Sequence, residues 1–393
     1  MALDIGAVQQ ALQASRLDGW LLYDFHGSNP VAQRLAGLDT GAHMTTRRWY
    51  LLIPANGEPR ALVHAIERHN LDGLPGEKRV YAGHAQLNQQ LEQLLAGMHR
   101  VAMEYSPGGA IPYVSRVDAG TIEAIRSHGV EVVTSGDLIQ QFEATWTPAQ
   151  LASHRAASEA LHRIKDRAFE RASAALRGGA PLAEYELQQQ MVHWFEDEGL
   201  TSDSAPVVAA GPNAGNPHYL PTASRTRVIV PDEVLLLDLW GKQRHNGAVY
   251  ADITWVAFTG RHTPDQLSAV FRAVAGARDA AVETVRSAAQ AGRDLRGWQV
   301  DREARGVLER AGYGEHILHR TGHSLGENVH GNGTHLDDYE THDERRILPD
   351  TGFTVEPGLY FDDFGVRSEI NVFRTATDAL VTGPCQAEVV TLR

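Results

Sequence analysis

The sequence predicts two domains: an N-terminal α/β domain over residues 1–146 and an α+β domain over 147–393. Three observations carry this expectation. Over the first ~145 residues, short apolar runs alternate with segments of helical period. A helix-start signal follows at Thr147. Beyond it, long Ala-rich helical stretches give way to strand-like runs grouped together rather than alternating. A chain of 393 residues is also long enough for two or three domains at roughly 100–200 residues each.

Taken in order, 5–17 carries apolar residues at helical spacing, and Trp20-Leu21-Leu22-Tyr23 is a short buried-strand run. Segments 48–54, 60–64 and 101–104 read as strands, and 86–95 and 120–128 as helices. His26, His43, His64 and His69 are scattered among them and read as bland surface or core residues. Thr147-Pro148-Ala149-Gln150 has Thr as cap, Pro at the first helical position and Gln completing a capping box. Two amphipathic helices are expected from there through Gly199, broken at Gly178-Gly179-Ala180-Pro181. The same start recurs at Thr263-Pro264-Asp265-Gln266, opening a helix to about Ala291. Strands are expected at 227–230, 234–239, 249–258, 352–361 and 366–374, antiparallel and with the helices grouped beside them.

Composition narrows the function. With 42% hydrophobic and 22% charged residues the chain is an ordinary globular one, which excludes collagen-like, coiled-coil and disordered readings. The net charge of −13 comes without a basic stripe and argues against nucleic acid as a partner. No apolar run approaches the ~18 residues of a membrane helix. An acid stands where a signal peptide would carry basic residues, so a cytoplasmic protein is expected. The single cysteine, Cys385, supports neither a disulfide nor a thiolate cluster, so any metal site must use oxygen and imidazole ligands.

Such ligands are present. Asp238 follows Val-Leu-Leu-Leu, and Asp252 sits within Val-Tyr-Ala-Asp-Ile-Thr-Trp-Val. A carboxylate inside a buried strand costs several kcal/mol unless a cation or donors satisfy it. Six histidines then fall within 27 residues: His316, His319, His323, His330, His335 and His342. Glycines on either side of His323 let its backbone approach a site closely, while His335 and His342 read as solvated loop residues. Glu356 lies in an apolar strand stopped by Pro-Gly, and Glu369 has apolar neighbours at alternate positions. Four carboxylates and one imidazole exceed what one small ion needs. They suit two divalent ions about 3.5–4 Å apart, with Mn²⁺, Co²⁺, Fe²⁺ and Zn²⁺ all compatible with the donor set.

From 148 to the C-terminus this constellation resembles the pita-bread metallopeptidases: methionine aminopeptidase, aminopeptidase P, prolidase and the metal-free relative creatinase. The ligand order, the Gly-His-x-x-Gly segment and the Glu-Pro-Gly segment carry the likeness together, and the two-domain layout is similar to the prolidase and creatinase branch. The resemblance implies a pita-bread fold preceded by a creatinase-like α/β domain. It implies Asp238, Asp252, His323, Glu356 and Glu369 as ligands of two metal ions, with Mn²⁺ the expected metal. His218 in Gly-Asn-Pro-His, and His330, seven residues past His323, match substrate-contacting histidines. Arg367, two before Glu369, matches an arginine that supports the metal-site carboxylates. Glu356 is expected to move a proton to the leaving nitrogen, His330 to stabilise the oxyanion and His218 to orient the substrate.

The sequence also departs from the family. Asp238 and Asp252 stand 14 apart, longer than usual, so an enlarged hairpin is expected at 241–247. Trp255 and Ile370 occupy places where Arg and Asp are common. The arginine that binds the product carboxylate in prolidases aligns with His342, and Arg345 or Arg346 is its expected substitute. The activity implied is Xaa-Pro dipeptide hydrolysis by a homodimer acting on short proline-containing peptides. A Xaa-Pro aminopeptidase and a metal-free amidinohydrolase of the creatinase type are the alternatives.

Overall fold

The computed structural model describes residues 3–38 and 44–393, and His43 lies outside them. The chain falls into two compact units, one ending at Phe142 and the other running from Glu143 to Arg393.

The first unit is a mixed sheet with helices. Its strands are β1 (Gly19–Asp24), β2 (Trp49–Pro54), β3 (Arg60–His64), β4 (Glu77–Tyr81), β5 (Arg100–Met103) and β6 (Glu131–Thr134), in the order β4-β3-β2-β1-β5-β6. The β1–β2 and β2–β3 pairs are antiparallel, and the others are parallel. Trp20, Leu22, Leu51 and Ile53 join one apolar cluster, while Leu21, Tyr23, Tyr50 and Leu52 join another. Both sheet faces are therefore covered, which is why β1 and β2 read as continuous apolar runs rather than alternating ones. Helices α1 (Ile5–Ala14), α2 (Pro30–Leu35), α3 (His84–Leu94), α4 (Ala119–Ser127) and α5 (Gly136–Glu143) supply the cover. Neither α2 nor β4 and β6 emerges from the sequence pattern. The first is six residues long, and β4 (Glu-Lys-Arg-Val-Tyr) is a polar strand at the edge of the sheet.

The second unit opens with α6 (Pro148–Gly178). The Thr147 hydroxyl accepts from the Gln150 amide at 3.2 Å and the Gln150 side chain accepts from Thr147 N at 2.9 Å, closing the expected capping box. Gly179, at φ +67°, ends the helix in the left-handed conformation, and α7 (Glu184–Asp197) follows. Next come β7 (Leu200–Thr201), β8 (Val207–Ala210), β9 (Val234–Gln243), β10 (Ala251–Phe258), α8 (Asp265–Gln290) and α9 (Gly297–Arg310). The remaining strands are β11 (Ser324–Leu325), β12 (Thr351–Val355), β13 (Gly358–Tyr360), β14 (Gly365–Arg367), β15 (Ile370–Arg374), β16 (Ala379–Val381) and β17 (Val390–Thr391). One sheet runs β17-β10-β9-β7 with β8 also on β9, a second runs β11-β12-β15-β16, and β13 pairs with β14. Leu235, Leu237 and Leu239 of β9 pack with α6 and α7, whereas Leu236 and Val256 pack with α8 and α9. Ahead of α6, Trp146 is buried with Val249, Leu325 and Phe373, stacks on Phe373 at 5.5 Å and donates its indole N–H to Leu325 O at 3.2 Å. Its ring fills the space over Gly352, where an added Cβ would stand 1.9 Å from Trp146 Cη2.

Four sequence expectations need correction. Thr263 does not cap α8: Pro264 takes the cap position with extended backbone and no side-chain cap bond. Segment 227–230 is not a strand. Its amides instead donate to Glu184 Oε2, Leu182 O and Glu233 Oε1, and only Val228 forms an isolated bridge, to Ala183. The strands are not all antiparallel, since β17 runs parallel to β10. His335 is not a solvated residue but fully buried, its Nδ1 accepting from Ser324 N at 3.1 Å. The sequence also gives no warning of α9, whose Asp301 becomes important below.

Candidate metal centre

The β9–β10 register sets the floor of the site. Asp238 faces Thr254 and Asp252 faces Trp240, so these four side chains lie on one sheet face. Leu237, Leu239, Ile253 and Trp255 point the other way, into the core under α6. The long Asp238-to-Asp252 spacing does not disturb this face. Its extra residues carry β9 past the end of its pairing with β10, where Lys242 and Gln243 pair with Thr201 and Leu200 of β7.

The second sheet brings the remaining donors. His323 precedes β11, Glu356 follows β12 and Glu369 precedes β15. Gly322 allows the approach: an added Cβ would lie 2.1 Å from Thr354 O. The His323 amide donates to the Thr354 hydroxyl at 2.9 Å, and the ring is buried. His323 Nδ1 lies 3.1 Å from Ser324 O, so it carries the proton and leaves a lone pair on Nε2. Nε2 in turn stands 3.5 Å from both Asp252 Oδ2 and Glu356 Oε1. Three acceptors that face one another repel unless a proton or a cation sits among them.

Other contacts lead to the same conclusion. Asp252 Oδ1 and Glu369 Oε1 are buried and accept no hydrogen bond, although buried carboxylate oxygens normally find donors. One ligand atom from each of Asp252, His323 and Glu369 lies within 4.8 Å of the others. Burial, reinforced by neighbouring carboxylates, pushes Asp252 and Glu369 well above the ordinary carboxylate range, and raises Asp238 more moderately. Glu356 is held below that range by the charges of His323, His319 and Arg367, which outweigh its desolvation. Replacing protons with divalent ions relieves this clustered negative charge. The residues therefore fit a metal site, with Asp252, His323 and Glu369 most directly convergent and Glu356 beside them. Asp238 meets the guanidinium of Arg367 with its Oδ2.

Arg367 is the main cationic strut. It donates to Asp238, to Thr254 Oγ1 at 2.9 Å and to Tyr360 Oη at 3.0 Å, and it stands 4.0 Å from Glu356 Oε2. Tyr360, its phenol pushed up to about 12 by burial, is also 2.7 Å from His319 Nε2. The His330 ring lies edge-on to His323 with centroids 4.4 Å apart, and burial lowers its pKa to about 4. His218 is exposed on the loop after Gly211–Gly215. Arg345 is committed elsewhere. Its guanidinium grips the buried Asp343 at 2.9 and 2.6 Å and donates to Asn332 O at 2.9 Å, so it is not presented to a substrate carboxylate. His342 pairs with Asp338 at 2.5 Å.

Several supporting residues escape the sequence reading. Thr254 donates to Glu369 Oε2 at 2.7 Å, and Asn371 Oδ1 accepts from the Asp252 amide at 3.0 Å. Each stands two residues after a predicted ligand, so strand alternation places it on the ligand face. Asp301, buried on α9, accepts from both the amide and hydroxyl of Thr321, at 2.9 and 2.6 Å, and so fixes the approach to His323. Nothing local in the sequence signals that partnership.

The family model described as "Metallopeptidase family M24" matches residues 156–376. The Xaa-Pro dipeptidase of Lactobacillus helveticus is 33% identical over 165 residues, 42% of this chain and 40% of that protein. The putative dipeptidase YkvY of Bacillus subtilis is 26% identical over 264 residues, 65% of each chain. The chain thus spans less than two thirds of the length of either relative. The crystal structure of dipeptidase PepE from Mycobacterium ulcerans superposes with a TM-score of 0.70 at 24% identity, over 99% of this chain and 96% of that one. A recombinant prolidase from Thermococcus sibiricus gives 0.65 at 22% identity over the full length of both. At these identities the two structures establish the fold.

Proposed function

Because the chain belongs to metallopeptidase family M24 and shares its pita-bread fold, we propose that it is a two-metal exopeptidase hydrolysing Xaa-Pro dipeptides. The observation that carries this reading is the convergence of Asp252, His323 and Glu369, with one buried, unpartnered oxygen on each of the two carboxylates. The proline preference rests on relatives described as Xaa-Pro dipeptidases.

Asp238, Asp252, His323, Glu356 and Glu369 would hold the metals, Mn²⁺ for preference. Divalent ions there would supply electrophilic pull on the scissile carbonyl and lower the pKa of water. Glu356, ionised at neutral pH, accepts the proton lost by the attacking water and returns it to the leaving nitrogen. Its Oε1 accepts from the Thr354 hydroxyl at 3.1 Å, which fixes its direction. His330 is neutral at pH 7, so it stabilises the oxyanion by donating an N–H rather than by a full charge. Arg367 positions the carboxylates, and His218 orients the substrate from its exposed loop. The protein acts as a cytoplasmic homodimer. Among the described residues, no helix is long and apolar enough to cross a membrane.

One observation favours a second reading, a Xaa-Pro aminopeptidase. With Arg345 tied to Asp343 and His342 to Asp338, the segment expected to grip a product carboxylate offers no uncommitted cation. Longer peptides need no such grip. The test is to chelate the protein, restore Mn²⁺, Co²⁺ or Zn²⁺ in turn, and compare Xaa-Pro with Xaa-Pro-Yaa-Yaa turnover. Metal-dependent cleavage of the dipeptide is the expected result. Preference for the tetrapeptide would support the second reading, and undiminished activity without metal would overturn both.

A further inference from the structure

The extension of β9 beyond β10 has built something at the mouth of this site. By pairing with Lys242 and Gln243, β7 brings the following turn, Ser202 to Ala205, alongside the ligand-bearing face. Asp203, exposed on that turn, accepts the indole N–H of Trp240 at 2.7 Å through Oδ1. Its Oδ2 has no partner among the described residues. Trp240 is half-buried and faces Asp252 across the β9–β10 pair. The charge of Asp203 reaches both Asp252 and His330. Lys242, the cation on the same rim, is already occupied: it donates to Glu327 O and lies 5.0 Å from the centre of the Tyr250 ring.

We propose that Asp203 and Trp240 form a subsite for a cationic side chain, so that the enzyme prefers substrates whose first residue is lysine or arginine. This rests on the dipeptidase reading above. A carboxylate beside an indole is a strong pairing for an ammonium or guanidinium, through charge and through the ring face. The choice of side chain over the substrate's α-ammonium follows from position. The two sheets together already gather four carboxylates, whereas Asp203 is exposed on the turn beside Trp240, within reach of a long side chain.

The test compares Ala-Pro, Lys-Pro and Glu-Pro hydrolysis by the metal-loaded wild type, Asp203→Asn and Asp203→Glu. For Asp203→Asn we expect kcat/KM on Lys-Pro to fall about tenfold, chiefly through KM, with Ala-Pro within twofold and Glu-Pro improved. Asp203→Glu should restore most of the Lys-Pro rate. Equal losses on all three dipeptides, or no change on any, would overturn the proposal. Titration calorimetry of Lys-Pro into wild type and Asp203→Asn separates this idea from the one beneath it. Weaker Lys-Pro binding by the variant, in a protein that hydrolyses no dipeptide, would leave the subsite standing and remove the dipeptidase reading. Equal binding by both would remove the subsite.

Discussion

The hydroxyl of Thr254 donates to Glu369 Oε2 at 2.7 Å, which directs the other oxygen of that carboxylate, Oε1, into the cluster with no partner of its own. The same hydroxyl accepts from Arg367 Nε at 2.9 Å, so one small side chain couples the cationic strut to a candidate ligand. Thr254→Val keeps the shape of the residue and removes both bonds. Metal affinity is expected to fall about 10–100-fold, as it does when groups orienting ligands are lost. Metal titration followed by activity measures this, and unchanged affinity would mean that Glu369 needs no such orientation.

Metal loading should stabilise the folded chain. With free metal at about 100 times its dissociation constant, linkage gives about 2.7 kcal/mol, visible as a rise in Tm over the chelated protein. Glu369→Gln removes a convergent charge and should lose most of that rise. A variant that gains as much Tm from metal as the wild type would place the binding elsewhere.

Acid should weaken the fold through His154. This buried histidine lies 2.7 Å from Tyr250 O and 2.7 Å from Thr382 Oγ1, and burial lowers its pKa to about 4. The unfolded chain takes up that proton near pH 6.5, so between about pH 6.5 and 4 the unfolded state binds more protons. Stability therefore rises with pH in that window, is complete above it, and loses about 3 kcal/mol on descending through it. Denaturant midpoints at pH 7, 5.5 and 4.5 for wild type and His154→Gln should show a flatter pH slope in the variant. Parallel slopes would remove His154 as the cause.

Arg345 gives a prediction that separates structure from substrate binding. Asp343→Asn leaves its guanidinium buried beside a neutral amide, and breaking a buried pair costs about 3–5 kcal/mol. Stability should drop by that order, while KM for a Xaa-Pro dipeptide in the surviving folded protein stays unchanged. A KM that rises more than the loss of folded protein explains would return Arg345 to the substrate.

The candidate cluster of Asp252, His323 and Glu369 was legible because its chemistry conflicts with its surroundings. Asp238 and Asp252 are acids in apolar strands and Glu356 and Glu369 acids within apolar runs of the sequence, and that conflict is visible without coordinates. Some buried strands and capped helices were legible for a similar reason, since they announce themselves locally, as at Trp20 to Tyr23 and at Thr147. What stayed hidden depends on partners distant in sequence. Asp301 is an ordinary helical acid until the fold sets it against Thr321, and Arg345 is a free cation until Asp343 closes on it. His335 reads as a loop residue because nothing in its neighbours reveals that Ser324 N will cover it. Pro264 shows that a local motif can also mislead: the tetrapeptide matches that at Thr147, yet the helix begins one residue later.

The slot that Trp146 occupies above Gly352 sets a practical limit on how this protein can be divided. A fragment cut at Thr147, where the helix signal invites it, would discard the indole and leave a trench walled by Val249, Leu325 and Phe373 open to water. Position 352 cannot refill it, because its residue has no side chain and its neighbours are shaped around the missing ring. Expression of the second unit should therefore begin no later than Glu143, and a fragment starting at Thr147 is expected to expose a sticky seam and associate through it.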